Sequence, residues 1–223
     1  MPGRFITLEG GEGAGKSTQA ALLAERLGGL GIAVVRTREP GGSPGAEIVR
    51  DIVLSGLAKP FGPQAETLLF AAARRDHLES LIKPALSAGK WVICDRFIDS
   101  TRVYQGILGQ AGRALVHVLE RITVGDAMPD LTVILDLPAD IGLARARDRR
   151  GGDAPDRFEG EDLGFHQRLN AAFREIAAEE PGRCVVIDAD RPAEAVGADI
   201  WAKVAERFRL ARAPAPTSAG ELT

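Results

Sequence analysis

A chain of 223 residues with 28 Lys and Arg against 31 Asp and Glu carries a net charge of -3, so no general positive field is available to hold nucleic acid or an anionic membrane. Two cysteines, Cys94 and Cys184, each lie inside an apolar run; that excludes a disulfide scaffold and a cysteine-built zinc site, and His77, His117 and His166 share no metal-ligand spacing. With no apolar leader and no membrane-length apolar run, the expectation is a soluble, cytoplasmic protein of one domain with an embellishment.

In chain order, residues 5–8 (FITL) are the first of five nearly continuous apolar runs; the others are 33–37, 91–94, 131–135 and 184–187. Runs of that kind suit strands covered on both faces, as in a parallel sheet. Directly after the first run comes Gly10-Gly11-Glu12-Gly13-Ala14-Gly15-Lys16-Ser17, then Thr18. It fits G-x-x-x-x-G-K-[ST] between a strand and a helical stretch at 17–27, the context in which backbone N–H groups cradle phosphates. Lys16 would bridge the outer phosphates and the Ser17 hydroxyl would ligate Mg²⁺. Glu12 is the odd residue, a carboxylate beside an anionic ligand. It either faces solvent or accepts a hydrogen bond from a ligand hydroxyl.

A long helical stretch at 65–88 places Phe70 and Arg74 four apart on one face, where the ring either packs in the core or stacks on a nucleobase. The third apolar run ends at Cys94-Asp95-Arg96, at the carboxyl edge where open α/β sheets place ligands. Asp95 suits Mg²⁺, and the planar fork of Arg96 suits a second phosphate. Helical stretches at 113–124 and 141–149 flank the fourth run. Residues 145–157 (RARDRRGGDAPDR) read as a mobile loop, and helices at 161–179 and 193–209 bracket the fifth run. Residues 211–223 read as a disordered tail. Strands alternating with helices predict a three-layer α/β/α domain over residues 1–210, with a five-stranded parallel sheet and a small mobile lid at about 145–158.

The ordered set LEGGEGAGKST, TREPGG, LLFAAARRDH, CDRFIDSTRVYQG, MPDLTVILDLP and DRFEGEDLGFHQR, from about residue 5 to about 208, resembles the thymidylate kinase family, and more closely its bacterial branch. The resemblance implies a P-loop NTPase fold and a phosphotransferase with a phosphate group as acceptor. The enzyme would move the γ-phosphoryl group of MgATP to dTMP, giving dTDP and ADP, usually as a homodimer. It places Glu12 on the thymidylate sugar, with Glu39 and Pro40 lining the nucleoside pocket. Arg50 and Arg96 would grip the acceptor phosphate. Phe70 would stack on thymine, with Arg74 on its O4 side and Thr101 and Gln105 at the base edge. Tyr104 would crowd the position of a ribose 2′-OH. The phosphate loop holds no Arg, as in the subtype whose lid supplies the transition-state arginine. Here that is Arg149 or Arg150, while Arg157 is an anchor for the lid. No general base is required, because the attacking phosphate is already largely dianionic, its second pKa being about 6. The competing readings are another nucleoside monophosphate kinase, a deoxynucleoside kinase, and a nucleotide switch. The switch is disfavoured because Asn170 is the only asparagine and no Asn-Lys pair occurs.

Overall fold

Five parallel strands form one sheet: β1 (Phe5–Gly10), β2 (Val34–Arg38), β3 (Trp91–Asp95), β4 (Leu131–Asp136) and β5 (Cys184–Asp188). Their order is β2-β3-β1-β4-β5. The structure, a computed structural model, describes residues 2–151, 158 and 160–210. The chain moves to one side of β1 for β2 and β3 and to the other for β4 and β5. The loop leaving β1 therefore sits at the point where the winding reverses, and a crevice opens there.

Strand alternation builds the layers. On one face Ile6 and Leu8 of β1, Trp91 and Ile93 of β3 and Val133 of β4 pack against Leu23 and Leu27 of α1 (Lys16–Gly28) and Ile200, Trp201 and Val204 of α9 (Ala193–Phe208). On the other, Phe5, Val92, Cys94 and Phe97 meet Leu78 and Ile82, while Ile134 meets Leu169, Phe173 and Ile176 of α8 (Leu163–Glu179). Helices thus cover both faces of a parallel sheet, the three-layer P-loop architecture that the motifs imply.

The remaining helices depart from the sequence expectation in instructive ways. α2 (Pro44–Leu54) was not anticipated, and its N-terminus is capped across space: the Asp76 carboxylate accepts from the Ala46 N–H at 3.1 Å and from the Ser43 hydroxyl at 2.6 Å. Those hydrogen bonds hold the Asp76 carboxyl below its usual range. The single stretch expected at 65–88 is α3 (Gly62–His77), a π-helical turn (Leu78–Ile82) and α4 (Lys83–Ser87). α5 (Ile98–Thr101), continued by a π-helical segment (Arg102–Ile107), was likewise not anticipated. α6 (Arg113–Thr123) follows the reading closely. α7 (Ala139–Arg150) covers the helix expected at 141–149 and ends one residue beyond it, so the part of the expected mobile loop at 145–150 is helix. Residues 152–157 of the expected lid, Arg157 included, and the tail at 211–223 lie outside the described residues.

Candidate active site

The loop after β1 turns through Gly10, Gly13 and Gly15, whose φ values of +133°, +66° and +90° are open to glycine at little cost. Its tightest approach is to α7. A Cβ on Gly13 would lie 2.1 Å from the Gly142 carbonyl oxygen, and one on Gly142 would lie 2.4 Å from that of Glu12. Alanine, normally the better helix former, has no room at either place. No side chain caps the start of α1, so its first N–H groups are left for an anion. Lys16 is buried, and its Nζ donates to the carbonyls of Gly10 and Gly11 at 3.2 and 2.7 Å. Burial, and then the charge of Arg96, push its pKa down to about 8 against the pull of Glu12, Asp95 and Glu9.

Opposite the loop, β3 ends at Asp95, whose carboxylate accepts from the Ser17 hydroxyl. Those two oxygens are the pair the sequence offered for Mg²⁺. Among the described residues no cluster of three or more His, Cys, Asp or Glu side chains forms a protein cage for a metal. A two-oxygen foothold suits an ion that keeps waters and substrate phosphates in its shell. Arg96 follows at φ +68°, left-handed for a residue with a Cβ. Its Nη2 donates to Glu12 Oε1 at 2.5 Å, and Nη1 reaches the Gly10 carbonyl at 3.3 Å. Tyr104 donates its hydroxyl to the same Glu12 oxygen at 3.1 Å, and its ring centroid lies 5.3 Å from the Arg96 guanidinium. Burial alone would raise the Glu12 carboxyl, but Arg96, then Lys16 and the Tyr104 hydrogen bond, hold it down to about 2. Of the two readings of Glu12, solvent exposure is therefore incorrect: it is an ionised, paired carboxylate facing the cleft.

The acceptor side is organised by a chain of hydrogen bonds that joins three elements, β2, α3 and α5. Thr37 of β2 meets His77 Nε2 at 2.7 Å, and His77 Nδ1 meets Glu39 at 3.1 Å. Glu39 accepts from Arg74 Nε at 2.8 Å, and Arg74 Nη2 donates to Thr101 Oγ1 at 2.9 Å and to the Phe97 carbonyl at 3.3 Å. Gly42 leaves room for it: a Cβ there would stand 2.4 Å from both His77 Nε2 and Thr37 Oγ1. Arg50 donates to the Pro40 carbonyl at 2.6 Å. Phe70 packs on Val53 and Ala58 and also lines the cleft, so its ring belongs to the core and reaches the cavity wall.

Both sides open into one cleft of about 410 Å³. Glu12, Gly13, Gly15, Lys16, Ser17 and Thr18 line its phosphate-loop side, and Asp95 and Arg96 line its floor. Glu39, Pro40, Arg50, Phe70, Arg74 and Thr101 form the other wall with Tyr104 and Gln105. Gly10, Gly11 and Ala14 of the loop do not line the cleft. Arg149 does, whereas Arg150 borders a separate small cavity with Arg147 and Glu161. Four residues beyond the sequence reading take part. Phe158 lines the cleft and meets Tyr104 edge-on with ring centroids 5.1 Å apart. His77 holds Glu39. Asn170 donates to the Leu137 carbonyl at 2.6 Å and braces Gly11. Glu9 is a fully buried carboxylate at the end of β1, pushed up to about 7 by burial and then by Asp99. Its signal was present in the sequence: a carboxylate closing an otherwise apolar strand must find donors.

A phosphate loop at the switch point of a parallel sheet, facing an arginine- and aromatic-lined pocket across one cleft, defines a P-loop phosphotransferase. A family model described as thymidylate kinase matches residues 8–200. The thymidylate kinase of Nitrobacter winogradskyi is 59% identical over 216 residues, spanning 97% of this chain and 94% of the relative. That of Nitrobacter hamburgensis is 60% identical over 211 residues (95% and 92%), and that of Bradyrhizobium diazoefficiens 59% over 206 (92% and 90%). This chain belongs to the thymidylate kinase family.

Proposed function

We infer that this chain transfers the γ-phosphoryl group of ATP to dTMP, giving ADP and dTDP. The observation that carries the reading is the single cleft in which Lys16 and Ser17 face Arg96, Arg74 and Phe70. A phosphate oxygen of dTMP is the nucleophile, so catalysis is positioning and charge stabilisation rather than proton abstraction. Lys16 exchanges its loop carbonyls for the β- and γ-phosphates. Ser17 and Asp95 would hold Mg²⁺, which when bound neutralises charge on the transferring group. Arg96 presents its fork to the acceptor phosphate with Arg50 behind it, while Glu12, ionised across the working pH range, accepts from the sugar hydroxyl. Phe70 stacks on the base. Arg74, fixed through Nε and Nη2, offers its remaining N–H groups to the O4 carbonyl, and Thr101 and Gln105 complete the base edge beside Pro40. Arg149 is the lid arginine at the transition state, a choice supported by its place on the cleft. Phe158 against Tyr104 helps exclude water, which would otherwise intercept the phosphoryl group.

ADP release from MgATP with each nucleoside monophosphate in turn, and with thymidine, tests this. The expected result is turnover with dTMP far above GMP, CMP, AMP and thymidine. A preference for another monophosphate would remove the roles given to Phe70, Arg74 and Thr101.

No described helix is long and apolar enough to cross a membrane, and the charged substrates belong to the cytoplasm, where we place the enzyme. It works there as a homodimer. Val118 and Ile122 lie four apart on α6, Leu68 lies on the adjoining α3, and all three are more than half exposed. A second copy covering this face would remove an apolar patch from water. Sedimentation is expected to give twice the 23.6 kDa chain mass for the native protein and a single chain mass for Val118→Asp/Ile122→Asp. An unaltered mass in the variant would exclude this face.

A further inference from the structure

We propose that Glu9 is a positioning residue for the phosphoryl-transfer site: from the end of β1 its carboxylate locks the turn that carries Arg96, registering the acceptor-side arginine against the phosphate loop. The proposal rests on the kinase reading above and deepens it, by naming what holds the two substrate sites at a fixed separation.

β1 alternates so that Phe5, Thr7 and Glu9 share the face opposite Ile6 and Leu8. The burial is complete, so each carboxylate oxygen needs donors. Oε1 accepts from the Phe97 N–H at 2.7 Å and from the Ser100 N–H at 3.3 Å, and Oε2 accepts from the Ser100 hydroxyl at 2.6 Å. All three donors belong to the turn and first residues of α5, whose start has no side-chain cap of its own.

Two consequences follow for Arg96. Its backbone is bracketed by consecutive residues of β1: its own N–H donates to the Leu8 carbonyl at 2.9 Å, and the next N–H, that of Phe97, donates to Glu9. A left-handed φ at a residue with a Cβ persists only where the surroundings over-determine it, and these two bonds do so. The side chain is set as well. The Ser100 hydroxyl commits its hydrogen to Glu9 Oε2, which turns its lone pairs toward Arg96 Nη1 at 3.4 Å. Gly10, the residue after Glu9, supplies the carbonyl that Nη1 meets at 3.3 Å. One carboxylate therefore ties the first residue of the phosphate loop to both the backbone and the guanidinium of the acceptor arginine.

The test is steady-state kinetics on the full chain with MgATP and dTMP, alongside thermal unfolding, for Glu9→Ala, Glu9→Gln and Ser100→Ala. Glu9→Ala strands two buried N–H donors and is expected to lower kcat about 100-fold, raising KM for dTMP about tenfold and KM for ATP less than about twofold. Glu9→Gln keeps an acceptor for both N–H groups and is expected to recover kcat to within about tenfold of the native enzyme. Ser100→Ala, which spares the backbone bonds, is expected to lower kcat about tenfold with the same bias toward dTMP. Equal shifts in the two KM values, or a lower Tm with native kinetics below it, would overturn the proposal. If Glu9→Ala fails to fold, unchanged kcat in both other variants overturns it. Should the native chain prefer another monophosphate, the same ratios are read with that acceptor, so failure of the substrate assignment remains distinct from failure of the positioning role.

Discussion

Replacing Arg96 with alanine is expected to lower kcat with dTMP by about 10³-fold or more while MgATP affinity changes by less than about threefold. Arg96 leaves β3 on the acceptor side, and its guanidinium contacts Glu12, Tyr104 and the Gly10 carbonyl, which it shares with Lys16. ADP release and calorimetric titration with MgATP separate the two effects. Loss of ATP binding in parallel with turnover would place Arg96 on the donor side instead. Lysine at this position keeps the charge but not the planar fork, so it is expected to recover only part of the loss. The same variant has an acid signature. In the native protein the folded Glu12 carboxyl is depressed to about 2 from an ordinary 4.5, so its stabilising contribution is fully present above about pH 4.5 and is lost as pH falls toward 2. Without Arg96 the burial that opposes ionisation has lost its largest counterweight. That contribution is expected to shrink, flattening the fall in stability with acid.

The second large effect is expected in stability. Arg183→Met should cost about 3–5 kcal/mol, because it strips the main partner from a fully buried carboxylate. Asp99 is inaccessible to solvent and takes both arms of Arg183, at 2.7 and 2.9 Å, with a longer contact of 3.2 Å to Arg102. Arg102 is itself committed to Glu120 and Glu180. These neighbouring carboxylates hold both arginines charged, their pKa values raised although burial alone would lower them. In a domain of this size such a loss corresponds to roughly 6–20 °C in Tm, which differential scanning calorimetry resolves. A shift under about 2 °C would mean that Arg102 alone keeps Asp99 paired.

Much of the site was legible because phosphate chemistry has local sequence grammar. The glycines, Lys16 and Ser17 lie within eight consecutive residues, and Asp95 and Arg96 close an apolar run. Other parts were hidden where the stabilising partner is distant in the chain. α2 looked like loop because Pro44 and Gly45 break the pattern, and its cap comes from Asp76, more than thirty residues away. α5 and its π-helical continuation carry no clear 3.6-residue stripe, and their first N–H groups are satisfied by Glu9, about ninety residues earlier. Residues 145–149 carried both a helix and a loop reading because arginine density and the following glycines resemble a turn, and α7 takes 145–150 as its last turn and a half.

Local pattern by itself determined the number of strands, their parallel arrangement and the phosphate loop, since apolar runs and glycine placement express burial and backbone freedom residue by residue. The wider motif set also carried the family. Tertiary structure alone decided which charges meet: Glu12 with Arg96 and Tyr104, Glu39 with Arg74 and His77, Glu9 with the Arg96 turn, and Arg149 rather than Arg150 on the cleft. A buried charge is stable only beside partners that the folded chain brings within about 3 Å, and sequence spacing does not encode that distance.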